Sequence, residues 1–223
     1  MKTDTSLLND FEKDGRVWLR NAISDTDLQS FDAAAMLQSK VGSRIDPTYS
    51  LSTALAKNGS LREAVAKLDP KARPVRVVAF NKSQSTNWGV PWHQDRVISV
   101  ADKHETDGFK HWTKKAGVWH CEPPQELLDR MLFVRVHLDA TDRANGAMQI
   151  SVGSHARGVI PAADADKTVD QYPIECCDAS RGDILIMRML TLHCSKPSEI
   201  QSDRRVFRID FAPFDLPAPL AWT

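Results

Sequence analysis

The stretch 131–139 limits the fold of this chain more than any other feature. Leu132, Val134, Val136 and Leu138 fall on one parity, and Phe133, Arg135, His137 and Asp139 on the other. Successive strand side chains point to opposite faces, so this segment is predicted to be a strand with one apolar face and one mixed face. The same period of two begins at Pro74 and recurs in short pieces over 75–80, 88–93, 96–100, 146–152, 184–189 and 204–211. Asn145-Gly146, Gly153-Ser154 and Gly182-Asp183 supply turns between them. Many short strands with such turns predict a sandwich or jelly roll rather than alternating strands and helices.

Before Pro74 the period is helical. Leu7, Leu8 and Phe11 mark a helix ended by Asp14-Gly15, and Val17-Trp18-Leu19 reads as a short strand. Ser24-Asp25-Thr26-Asp27 resembles a capping box, opening a helix through Leu28, Phe31, Ala35 and Leu37. Residues 41–55 read as loop, and a further helix over 61–68 stops at Asp69-Pro70. The expectation is one domain over 1–223, mainly β with flanking helices: a helical scaffold in 1–73 and a β core in 74–212. Residues 101–130 interrupt the core with Trp112, Trp119, His104, His111, His120 and several lysines. An interruption of that length suggests a functional lid or binding loop, with Trp112, Trp119 and His120 as candidates to touch substrate. Pro123-Pro124 can open a short helix after it.

Composition removes several classes of function. Lys+Arg 29 balances Asp+Glu 29, so nothing favours nucleic acid or an anionic membrane. No apolar run approaches the ~20 residues of a membrane helix, and Met1-Lys2-Thr3-Asp4-Thr5 is not a signal-peptide start, so the expected location is cytoplasmic. The four cysteines, Cys121, Cys176, Cys177 and Cys194, form no C-x-x-C pair and are expected as reduced, structural thiols. Nothing in the sequence sets an oligomeric state.

The chemistry concentrates around Trp92-His93-Gln94-Asp95. On an extended backbone His93 and Asp95 share a face, with Gln94 turned away. His193 is the candidate third ligand, and parity places Met187, Met189, Thr191, His193 and Ser195 on one face if the strand through them is regular. Two imidazoles and one carboxylate describe the facial triad of non-haem Fe(II) oxygenases, with positions left open for other ligands. A 2-oxo acid can chelate such an ion and leave a place for O₂; its far carboxylate then needs a cationic anchor, and Arg204 with Ser195 fits. Arg205, however, shares the parity of Phe207, Ile209 and Phe211, so a rule that turns apolar faces inward would choose Arg205 instead. Arg204 is the expectation on the ground that a cavity for a polar cosubstrate is itself polar. Lys82, Arg135 and His137 are further cavity candidates, and His155 reads as a turn residue.

Taken together, Asn87-Trp88-Gly89-Val90-Pro91-Trp92-His93-Gln94-Asp95, Leu138-Asp139, Asn145-Gly146-Ala147-Met148-Gln149, Gly153-Ser154-His155, Gly182-Asp183-Ile184-Leu185, and His193-Cys194-Ser195 with Arg204 resemble the phytanoyl-CoA dioxygenase family. The resemblance implies a double-stranded β-helix (a cupin-like jelly roll) that uses Fe(II), 2-oxoglutarate and O₂. It implies His93, Asp95 and His193 as iron ligands, Arg204 and Ser195 at the distal carboxylate of 2-oxoglutarate, and a small-molecule substrate. Because halogenating relatives lack the carboxylate ligand, Asp95 favours hydroxylation. Pro197-Ser198 departs from the asparagine that the family often carries after the second histidine. Two other readings stay open: a cosubstrate-independent cupin-type metalloenzyme, and a non-catalytic β-helix that binds a metabolite or a protein.

Overall fold

The computed structural model describes residues 4–36, 43–44, 59–82, 87–200 and 204–223. Numbered in chain order, the strands form three antiparallel sheets. The major sheet runs β1 (Arg16–Leu19), β11 (Ile184–Arg188), β8 (Leu132–His137), β13 (Arg204–Ala212), β3 (Arg73–Lys82) and β2 (Ser43–Arg44). The minor sheet runs β10 (Ile174–Cys176), β9 (Met148–Ser151), β12 (His193–Ser195) and β4 (Val90–His93). The two face each other across a cavity, which is the jelly-roll arrangement expected from the strand pattern.

Strand β13 explains why the major sheet is sided as it is. It pairs with β8 and β3 along most of its length, with Phe207 opposite Val136 and Ala79, and Ile209 opposite Val134 and Val77. Phe207, Ile209 and Phe211 lie on the outer face and join Phe11, Leu28, Phe31 and Leu61 in one core. Those last four come from the helices Asp4–Asp14, Asp25–Met36 and Gly59–Ala66, so the N-terminal helices roof the outer face. The opposite parity of β13, carrying Arg204, Arg208 and Asp210, faces the cavity side.

The helix at Asp25 begins where the capping box predicts. Ser24 Oγ accepts the Asp27 amide at 3.2 Å and donates to the Asp27 carboxylate at 2.8 Å, satisfying an N–H that has no partner within the helix. Leu37 and the predicted loop 41–55 lie outside the described residues, apart from 43–44, which pair with β3. No helix among the described residues is long and apolar enough to cross a membrane. All four cysteines are free.

The interruption at 101–130 is structured rather than loose. Strands β6 (Lys110–Lys115) and β7 (Val118–Glu122) form a hairpin whose turn residues Ala116 and Gly117 both take positive φ, as a tight two-residue hairpin turn requires. With β5 (Ile98–Val100) they make the third sheet, and a short helix follows at Gln125–Leu128. Trp112 and Trp119 pack on the second apolar core, beside residues such as Phe133 and Met187, instead of standing free as a lid.

Truncating Phe207, which is fully buried and meets the Phe31 ring edge-on at 5.9 Å, removes the centre of the helix–sheet core. Urea unfolding of Phe207→Ala is expected to show a loss of about 3–5 kcal/mol relative to the parent chain.

Candidate metal centre

Strands β12 and β4 are neighbours, and His193 is the Cα partner of His93. The two rings stand 4.2 Å apart, centroid to centroid. After His93 the strand ends, and Asp95 reaches back so that its Oδ2 lies 3.1 Å from His193 Nε2. One ligand atom from each of His93, Asp95 and His193 falls within 4.8 Å of the others, which suits three ligands around a single ion. Each imidazole donates Nδ1–H to a carbonyl two residues earlier, Pro91 for His93 and Thr191 for His193, both at 2.9 Å. That orients both rings so that their Nε2 atoms turn toward the same point.

Gln94 does turn away, and its role there goes beyond the sequence reading. Its amide nitrogen donates to Gly158 and Leu190 carbonyls at 2.8 and 2.7 Å, and its oxygen accepts the Ile160 amide at 2.8 Å. Asp95 is thus placed by an anchored, irregular segment and not by a continuing strand. The regular strand expected through Met187 and His193 is likewise broken. Strand β11 stops at Arg188, a turn intervenes, and Met187 and Met189 sit in the second core while Thr191 is fully buried.

Arg208 is the residue that sequence reasoning missed. Its Nη1 lies 2.7 Å from Asp95 Oδ2, while Nε and Nη2 grip Asp210 at 2.8 and 3.1 Å. Arg76 completes the cluster, 3.7 Å from Asp210. Burial alone would raise the Asp95 carboxyl, but Arg208 and then His193 outweigh it and hold Asp95 well below the usual carboxylate range. Asp95 is therefore ionised, as a metal ligand must be. The available signal was parity: Arg204, Arg208 and Asp210 share one face of β13, and a row of charges in a buried strand marks a polar interior.

The triad opens on a cavity of about 170 Å³, walled also by Trp88, Arg135, Met148, Ser195, Arg204 and Arg208. This space is below the ~300–1,000 Å³ of drug-sized ligand pockets, but it is open on one side, so a small acid fills its inner part and a second ligand can reach it from the mouth. Arg204 is buried, and its Nε and Nη1 have no hydrogen-bond partner among the described residues. Burial pushes its guanidinium down to about 10. Arg205 points the other way, with Nε and Nη2 on the Asp139 carboxylate at 2.8 and 2.7 Å and Nη1 on Asp32 at 2.9 Å. Lys82, the Cα partner of Arg204, is 1% exposed, and its Nζ donates to the Lys196 carbonyl at 2.6 Å. It stands behind the cavity wall rather than in it. Gly146 keeps this corner open: a Cβ there would lie 2.6 Å from the Lys196 oxygen and 3.0 Å from Lys82 Nζ.

Besides Lys82, four candidates are not brought to the cavity. Trp112, Trp119 and His120 belong to the third sheet, and none of them lines the cavity. The half-buried Trp112 and Trp119 rest one side on the second core, with Lys103 near both rings and Lys114 over Trp119. His137 faces inward from β8 but is sealed behind the wall. It is 1% exposed, with its ring 5.6 Å from Trp18 and its Nδ1 3.2 Å from the Asp183 carbonyl. Burial, reinforced by Arg135, lowers its imidazole to about 3, so it stays neutral. His155 is not confined to local turn contacts: its Nε2 donates to the carbonyl of Glu12, in the first helix, at 3.2 Å.

A family model, phytanoyl-CoA dioxygenase (PhyH), matches residues 11–206. No curated protein sequence matches the chain. Among solved structures, AviO1 from Streptomyces viridochromogenes Tue57 is similar with a TM-score of 0.67 at 18% identity, over 98% of this chain and 99% of that one. The non-heme α-ketoglutarate-dependent epimerase SnoN from nogalamycin biosynthesis gives 0.66 at 14% identity, over 98% and 84%. HygX from Streptomyces hygroscopicus, solved with nickel and 2-oxoglutarate bound, gives 0.65 at 13% identity, over 96% and 87%. At these identities the likeness concerns the fold.

Two measurements check this site. His93→Ala and His193→Ala are each expected to lose stoichiometric Fe(II) binding in an anaerobic titration, while Cys194→Ala, whose sulfur turns to Gln149, retains it. Lys82 offers a pH test, because burial, with Arg204 and Arg135 nearby, pushes it down to about 8 from 10.5. Between those values the unfolded chain holds a proton that the folded protein has released, so folding becomes less costly as pH rises. Denaturant unfolding across that window is expected to show the parent chain gaining stability relative to Lys82→Met.

Proposed function

Because the chain belongs to the phytanoyl-CoA dioxygenase family, we propose that it is an Fe(II)- and 2-oxoglutarate-dependent oxygenase that hydroxylates a small organic substrate. The observation that carries this reading is the buried Arg204 guanidinium, with Nε and Nη1 unpartnered among the described residues, in the same cavity as the His93, Asp95 and His193 cluster. A buried guanidinium with free N–H groups is costly until an anion answers it, and a planar carboxylate matches its fork. A metal enzyme needing no cosubstrate has no use for such a group, nor does a binding module need three ligand atoms converging on one point.

The residues fit the group they would hold. His93 and His193 would bind iron through Nε2, and Asp95 through its carboxylate, kept ionised and aimed by Arg208. Arg204 and Ser195 would receive the distal carboxylate of 2-oxoglutarate, with the Lys82 charge behind them. When bound, iron and 2-oxoglutarate supply oxidative decarboxylation to succinate and CO₂, one oxygen atom of O₂ entering succinate and the other the substrate. The protein's own contribution is positional: backbone carbonyls fix both imidazoles, Gln94 anchors the turn before Asp95, and apolar walls from Phe80, Phe133 and Met148 limit water. The presence of Asp95 supports oxygen transfer to carbon in place of halide transfer.

Arg204→Gln and Arg205→Gln separate this assignment from its neighbour. Succinate release with Fe(II) is expected to show a 2-oxoglutarate KM raised roughly 10- to 100-fold in Arg204→Gln, the loss of charge-assisted hydrogen bonds. Arg205→Gln is expected to leave KM unchanged and to lower only thermal stability. The opposite pattern, or no succinate formed by the parent chain in the presence of any substrate candidate, overturns the reading.

A further inference from the structure

The cavity holds more positive charge than the proposed metal and cosubstrate can answer. Arg135 lines it together with Arg204. It is 7% exposed, its Nε has no partner among the described residues, and Nη1 reaches only the Met148 thioether at 3.5 Å, a weak acceptor. A ferrous ion and a 2-oxoglutarate dianion add no net charge to the cavity. Asp95 and Asp210 are answered by Arg208 and Arg76. Arg204, Arg135 and the Lys82 charge behind them are left over. One distal carboxylate satisfies the fork of Arg204, and Arg135 remains a buried cation without a counter-ion.

The register gives Arg135 its own place. It is the Cα partner of Arg208, the arginine that grips Asp95, so its backbone stands at the level of the metal ligands. Arg204 is rooted four residues further along β13, roughly 13 Å away at the rise of a strand. Both guanidiniums line the same space, and burial, with Arg204 next, pushes Arg135 down to about 9, which still leaves it protonated at neutral pH. Leaving such a group unanswered costs several kcal/mol, a cost relieved by an anion brought beside the metal.

We infer that Arg135 anchors a carboxylate of the molecule that is oxidised, so that the substrate of this enzyme is a small organic acid. This rests on the functional reading above, since it requires metal and 2-oxoglutarate to occupy the same cavity. From then on Arg135 sets specificity: it selects an anion and points it toward the metal, while Arg204 holds the cosubstrate.

The test uses the full chain loaded with Ni(II) and saturated with 2-oxoglutarate. Matched acid and amide pairs, namely butyrate with butyramide, hexanoate with hexanamide and phenylacetate with phenylacetamide, are titrated and followed by ligand-observed NMR. At least one acid is expected to bind while its amide does not. Arg135→Gln is expected to weaken that acid roughly tenfold or more, the loss of a charged hydrogen bond, while 2-oxoglutarate affinity stays within about threefold. Arg135→Met serves as a second variant of similar length, and thermal melts of both confirm folding. The inference is overturned if no acid binds the loaded protein, if amides bind as well as acids, or if Arg135→Gln weakens 2-oxoglutarate as much as Arg204→Gln does. Failure of the parent chain to bind Ni(II) or 2-oxoglutarate defeats the functional reading instead, so the two failures are distinct.

Discussion

Antiparallel pairing of β12 with β4 sets His193 opposite His93, and the rest of the site is arranged around that contact. Two candidate ligands delivered by adjacent strands of one sheet are held by backbone hydrogen bonds and need no side-chain packing to define their spacing. Both imidazoles then spend one nitrogen on a carbonyl of their own strand end, which orients the other toward a common point. The third ligand comes from outside the sheet, and the protein spends three hydrogen bonds from Gln94 on keeping that irregular turn in place.

The major sheet is apolar on its helix-covered outer face, while its inner face mixes arginines with part of the second apolar core. Buried ion pairs such as Arg208 with Asp210 are poor sources of stability, because their attraction roughly offsets the cost of removing both charges from water. What they provide here is placement, since a bidentate grip on Asp210 leaves Arg208 one remaining direction, toward Asp95. The stability that tolerates this interior comes from the opposite face, where Phe207 and its neighbours meet three helices. Scaffold and site are thus two sides of one strand.

The segment 101–130 shows how tertiary packing overrides a composition argument. Its tryptophans and histidines resemble a binding loop in the sequence, yet a positive-φ turn folds it into a hairpin, and the tryptophans close the second core. Aromatic area is a large apolar payload wherever it lands, and a nearby unfilled core claims it before a ligand can.

Period-two alternation, turn residues and the order of His93, Asp95, His193 and Arg204 were legible without coordinates, because strand geometry converts sequence parity directly into a face. That was enough for a jelly roll, for the candidate metal triad and for its resemblance to one family. It was not enough to choose between Arg204 and Arg205 by rule, since parity says which residues share a face but not which face the helices cover. The fold decided that, by laying the N-terminal helices over Phe207 and turning Arg204 to the cavity. Arg208 beside Asp95, Gln94 as an anchor and Arg135 without a counter-ion also belong to tertiary structure alone. Each depends on distances between strands far apart in sequence, and pairing register, not local pattern, sets those distances.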